Sequence, residues 1–126
     1  MFSVISRAQV RTTVTPNATM TTLASPTIGA TAGLSLWRVE MEAGQQGPWH
    51  TFDTEQLWTV ESGTVVLASV DGDIVMNLGD TAVIPAGAER QITATTDARL
   101  TVCGPAAGVA QARGEDAPRG TPPWIS

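Results

Sequence analysis

Proton transfer at neutral pH needs a side chain that titrates there, and the chain carries one histidine, His50, in 126 residues. An imidazole with its ordinary pKa near ~6.5 can take or give a proton, so His50 is the natural general acid or base. A metal site built on two or more histidines cannot form within one chain. The single cysteine, Cys103, has no partner for an intramolecular disulfide and no companions for a thiolate zinc site. Cys103 lies in a β-patterned run and reads as a small buried hydrophobe, and nothing supports it as a nucleophile paired with His50. Asp53 and Glu55 are near enough in sequence to orient the imidazole, although loop acids of this kind are usually solvated. The chain has four Trp and two Phe, and Trp49, Phe52 and Trp58 stand around His50. With Trp37 they would either fill a core or wall a pocket for an apolar or aromatic molecule.

The elements that must position these residues read as β. Twelve Gly and eight Pro punctuate the chain at the spacing of a sandwich or barrel, and no window carries a helical apolar stripe. Strands are predicted at Gln9–Val14, Met20–Leu23, Leu34–Glu42, Trp49–Phe52, Gln56–Glu61, Thr64–Val70, Asp73–Leu78, Thr81–Ile84, Arg90–Thr95 and Arg99–Cys103. Asp71-Gly72 between two of these runs is a two-residue hairpin signal, with positive φ expected at both positions. His50, Phe52, Gln56, Trp58 and Val60 share one parity, which places them on the interior face. Beyond Gly104 the composition turns Ala/Gly/Pro-rich without strand periodicity, and Trp124 is a candidate anchor for an otherwise extended tail.

Composition bounds the function classes. Hydrophobic residues are 42 % and charged residues 15 %, enough for one core and too apolar for wholesale disorder. Seven Arg, no Lys and twelve acids give a net charge of −5 with no basic cluster, which argues against nucleic acid as a partner. No apolar run approaches the ~20 residues of a membrane-spanning helix. Met1–Val10 holds no secretory-type apolar stretch, so a cytoplasmic location is expected.

From Gly44 to Gly63 the chain reads GQQGPWHTFDTEQLWTVESG, and from Gly79 to Arg90 GDTAVIPAGAER. These segments resemble the two motifs of the cupin superfamily, G-x5-H-x-H-x3-E-x6-G and G-x5-P-x-G-x2-H, with 15 residues (Thr64–Leu78) between them, as in small bacterial single-domain cupins. The resemblance covers roughly Leu34–Cys103. It implies an all-β cupin jelly-roll barrel of two antiparallel sheets, with a core over residues 34–103. An N-terminal strand segment (1–33) would be exchanged or paired with a partner in a homodimer, and an extended tail (104–126) would follow.

In metal-binding cupins the ligands are two His and a Glu from the first motif and a His from the second. Here those positions hold His50, Phe52, Gln56 and Arg90. Phe cannot coordinate, Gln is a weak neutral donor, and Arg repels a divalent cation. The resemblance therefore carries over the barrel and its pocket, and no metal or other cofactor is expected. An inward Arg90 would clamp a carboxylate, phenolate or enolate, or else pair with Glu89, Glu61 or Glu40 or lie exposed at the rim. Gln56 would bond a ligand oxygen or satisfy His50. The leading reading is a metal-independent cupin that binds a small apolar or aromatic, polyketide-like molecule. It would catalyse an acid/base isomerisation, cyclisation or lyase step of a biosynthetic pathway, with His50, Arg90 and Gln56 catalytic and Phe52, Trp58, Trp37 and Trp49 binding substrate. Two alternatives stand beside it. One is a metal-dependent quercetinase-like dioxygenase that uses His50, Gln56 and a carboxylate such as Glu55. The other is a cupin that binds a small ligand without turnover.

Overall fold

A computed structural model describes all 126 residues. Eleven strands follow one another: β1 (Arg11–Val14), β2 (Thr19–Ala24), β3 (Leu34–Met41), β4 (His50–Phe52), β5 (Gln56–Ser62), β6 (Val65–Ser69), β7 (Gly72–Met76), β8 (Thr81–Ile84), β9 (Gln91–Ala94), β10 (Ala98–Pro105) and β11 (Ala110–Ala112). All ladders are antiparallel. One sheet has the order β1-β2-β3-β10-β5-β8, a second β7-β6-β9, and a short third β11-β4. The bridges Gln46–Thr93 and His50–Arg90 join β11-β4 to the β9 edge of the second sheet, so two sheets face each other in a jelly-roll arrangement, the fold class that the motif framework implies. No helix is long and apolar enough to cross a membrane.

Alternation builds the core. On β3 the buried residues are Ser35, Trp37, Val39 and Met41; on β5, Gln56, Trp58 and Val60; on β10, Ala98, Leu100, Val102 and Gly104. The register aligns them into rows across the sheet, one of which runs Ala82, Trp58, Val102, Trp37, Thr22. Val65, Leu67, Met76, Ile92 and Ala94 of the smaller sheet complete the same cluster. Two tryptophans flanking Val102 commit a large apolar area to this sheet and set the floor of the cavity described below. At Gly104, an added Cβ would come within 3.2 Å of Gln56 Cγ and 3.1 Å of Glu55 O, so the missing side chain makes room for Gln56.

Three sequence expectations change. The expected strand at Gln9 begins at Arg11, because Arg7–Gln9 forms a 3-10 turn whose Gln9 Oε1 accepts a bond from Ser6 N at 2.8 Å. The β6–β7 hairpin is present, but only Gly72 has positive φ (122°). The Ser69 hydroxyl accepts from Asp71 N at 3.2 Å and donates to Gly72 O at 2.9 Å, which supports the turn with Asp71 in an ordinary conformation. The tail after Gly104 carries a strand, β11, on β4, and Ile125 is fully buried. The ends of the tail are tied by side chains to main-chain carbonyls. Thr22 Oγ1 donates to Trp124 O (2.6 Å), Thr27 Oγ1 to Ser126 O (2.7 Å), Arg11 Nη2 to Pro123 O (2.6 Å) and Ser35 Oγ to Ile125 O. At the other end of the chain, β1 and β2 lie on the chain's own β3.

Candidate functional site

β4 is short because Pro48 precedes it, and proline donates no ladder bond. His50, at its start, exchanges both backbone bonds with Arg90 (N to O, 3.0 Å each way). Gly87 N reaches Phe52 O at 2.8 Å. The first and second motifs are thereby laced together, while on its other side β4 takes β11 as neighbour, with Ala112 opposite His50.

The His50 ring is oriented by its own chain. Nδ1 lies 2.8 Å from Pro48 O, and a carbonyl only accepts, so Nδ1 carries the proton and donates. Nε2 is left with the lone pair and no protein partner. Phe52 meets the ring edge-on, with centroids 5.5 Å apart at 79°. Burial lowers the imidazole pKa below its ordinary value. The Pro48 bond works the other way, and the positive fields of Arg90 and Arg119 lower it further. At neutral pH His50 is therefore an uncharged base.

Arg90 occupies the interior. It is 1 % exposed. Nη2 donates to Gln56 Oε1 (2.9 Å), Nη1 donates to Ala88 O (2.8 Å), and Cζ stands 5.0 Å from the Phe52 ring centroid. Nε has no partner. Desolvation pushes its pKa down to about 10. None of the three expected ion pairs, with Glu89, Glu61 or Glu40, forms, since the two salt bridges are Arg113–Glu89 and Arg119–Glu115, and the burial of Arg90 rules out exposure at the rim. Gln56, 2 % exposed, does not satisfy His50. Its Oε1 accepts from Arg90 and also from Trp58 Nε1 at 3.1 Å. Three of the four motif positions have thus become a cage for a guanidinium: an amide oxygen, an aromatic face and the cation itself.

A cavity of about 500 Å³ opens beside this cage. His50, Phe52 and Trp58 line it from the face that their shared parity predicts, and Trp37 of β3 joins them; Arg90, Gln56 and Trp49 do not line it. Trp49 lies instead under Arg113, with Cζ 4.3 Å from the ring centroid. Asp53 does not orient His50; its Oδ1 accepts from Val109 N at 2.7 Å and fixes the tail. Glu55 makes no bond to the ring either. Cys103 is half-buried on the outer face of its sheet, since it alternates with buried Val102 and Gly104, so it cannot reach His50. The chain also supplies lining residues that motif reasoning misses. Arg119, Thr121 and Trp124 come from the tail, and only the Trp124 ring gave a sequence signal.

The four motif positions do not fit a divalent metal. They offer one imidazole, the amide oxygen is already shared by two donors, and a guanidinium lies among them. No group of three or more His, Cys, Asp or Glu is placed to hold a metal ion.

Residues 37–103 match the family model described as a cupin domain. No curated protein matches the chain. Among solved structures, a sugar phosphate isomerase from a cupin superfamily of Silicibacter pomeroyi is 20 % identical, with a TM-score of 0.70 over 92 % of this chain and 85 % of that one. A salicylate 1,2-dioxygenase from Pseudaminobacter salicylatoxidans is 18 % identical, with a TM-score of 0.72 over 83 % of this chain and 33 % of that one. An RmlC-like cupin from Shewanella frigidimarina is 14 % identical, with a TM-score of 0.69 over 83 % of this chain and 91 % of that one. At these identities the likeness is one of fold.

Proposed function

The chain belongs to the cupin family, and from that premise we propose that it is a metal-independent member whose cavity binds a small apolar or aromatic molecule and whose His50 moves a proton on it. One observation carries this reading: an imidazole oriented by Pro48 O, with its lone-pair nitrogen unpartnered, on the wall of a cavity floored by tryptophan. Such a base removes a proton from carbon or oxygen and returns it elsewhere, which is the shared step of isomerisation, cyclisation and elimination. Arg90 acts at one remove. It holds Phe52 and Gln56 in place and keeps a positive field on His50 and on the site where negative charge develops. The neighbour named a sugar phosphate isomerase supports isomerase-type chemistry on this barrel, but an aromatic-walled cavity suits an apolar ligand better than a sugar.

Chelator-treated protein incubated with an enolisable aromatic ketone such as 2-tetralone in D2O tests the reading by NMR. Nε2 takes the α-proton, the enolate forms, and a deuteron returns from solvent-exchanged imidazolium. Accelerated exchange that disappears in His50→Gln is expected. Exchange that survives in His50→Gln would remove His50 from the mechanism, and a protein that binds no aromatic probe would overturn the reading altogether.

A further inference from the structure

The cavity has a charge pattern that its composition does not require. The chain carries twelve acids and a net charge of −5, yet no Asp or Glu lines the cavity, and its one permanent charge is Arg119. Arg119 is held by its backbone: its N donates to Ala110 O at 2.7 Å, and Ala110 N returns a bond to Gly120 O at 3.0 Å. Glu115 engages one edge of the guanidinium, Nε at 3.0 Å and Nη2 at 2.7 Å, and leaves Nη1 without a protein partner. Glu115 is itself outside the cavity lining. On the same strap Trp124 adds an aromatic wall, and its carbonyl is fixed by Thr22.

We propose that this strap makes the cavity selective for an apolar or aromatic compound bearing one acid group, with Arg119 taking the carboxylate and the ring body lying among Trp124, Trp37 and Trp58. The inference rests on the cavity reading above and narrows its ligand class. A guanidinium presents paired N–H donors in the plane that a carboxylate accepts, which makes it a better anchor for an acid than for a neutral amide of the same shape. Placing the acid at Arg119 leaves the remainder of the molecule against His50, the other polar group on that wall with a free nitrogen.

The test compares benzoate, 1-naphthoate and 4-phenylbenzoate, each beside its primary amide, by calorimetry and tryptophan fluorescence. Wild-type protein should bind at least one acid roughly tenfold more tightly than its amide, a margin that narrows with added salt. Arg119→Gln should bring acid and amide to parity, and measurable amide binding by the variant shows that it is folded. Glu115→Gln, which frees the guanidinium edge, should keep or widen the acid preference. Equal binding of acids and amides by wild type, or an acid preference that persists in Arg119→Gln, overturns the assignment and leaves the cavity reading standing. Absence of binding by every acid and every amide overturns both.

Discussion

Arg90 and Arg119 carry the same guanidinium in opposite surroundings. Arg90 is 1 % exposed and meets no carboxylate: it is answered by an amide oxygen, a carbonyl and an aromatic face. The Arg119 side chain is 56 % exposed, paired to Glu115 on one edge and open on the other. One sits at the place where the family motif puts a metal ligand, the other on a tail outside the motif. In this barrel three of the four motif positions, Phe52, Gln56 and Arg90, satisfy one another, and the polar groups left open toward the cavity lie at the fourth, His50, and on the C-terminal strap.

If the Arg90 cage is a closed structural unit, breaking one member should be costly. Gln56→Leu strands a buried guanidinium nitrogen and the Trp58 Nε1 together, and should destabilise the protein by about 4 kcal/mol in denaturant unfolding. The companion change Arg90→Met removes the charge along with its needs, and should shift stability by no more than about 1 kcal/mol. The double variant should then be more stable than Gln56→Leu alone by clearly more than Arg90→Met shifts the wild type, a coupling that independent sites cannot produce. Were Gln56→Leu as mild as a surface change, the cage would not be the reason these positions hold Gln and Arg.

The strap answers to a different residue. Ile125 is fully buried at its end, and Ile125→Ala should cost about 3 kcal/mol. It should also loosen the wall that carries Trp124, so probe affinity falls along with stability. Arg119→Gln, by contrast, should lose acid preference with stability unchanged. That difference separates what holds the strap from what the strap does.

The barrel was legible from Gly, Pro and alternation because those signals describe the backbone, and the backbone of this fold is shared. The parity of His50, Phe52 and Trp58 was legible for the same reason: side chains on one strand face must point together. The partner of Arg90 was not. Its candidates were carboxylates, whereas the structure answers the charge with Gln56, whose position Gly104 opens from a neighbouring strand. Trp49 was misplaced because it precedes β4 and its ring turns outward to Arg113. Of the strap only Trp124 was legible; the rest was not, because β11 is three residues of Ala-Gln-Ala, poor strand formers, and its anchors accept through main-chain carbonyls, which any sequence supplies.

The smallest effect separates the two arginines by their reach to His50. Both fields oppose protonation of the imidazole, and burial opposes it most. The folded-state pKa therefore lies below that of the unfolded chain, near ~6.5. Above that value the imidazole is neutral in both states and contributes nothing to the pH dependence. As pH falls below it, the unfolded chain takes up the proton first, so stability declines at no more than about 1.4 kcal/mol per pH unit. The decline stops once the folded imidazole is also protonated. His50→Gln should flatten this segment of the stability–pH curve. Arg119→Gln should narrow it by less than Arg90→Met does, since the Arg90 field on His50 is the larger of the two. Titrating His50 by NMR in both variants measures the same ordering directly. If the Arg119 variant raised the imidazole pKa more than the Arg90 variant, the strap rather than the cage would be the chief electrostatic neighbour of the base.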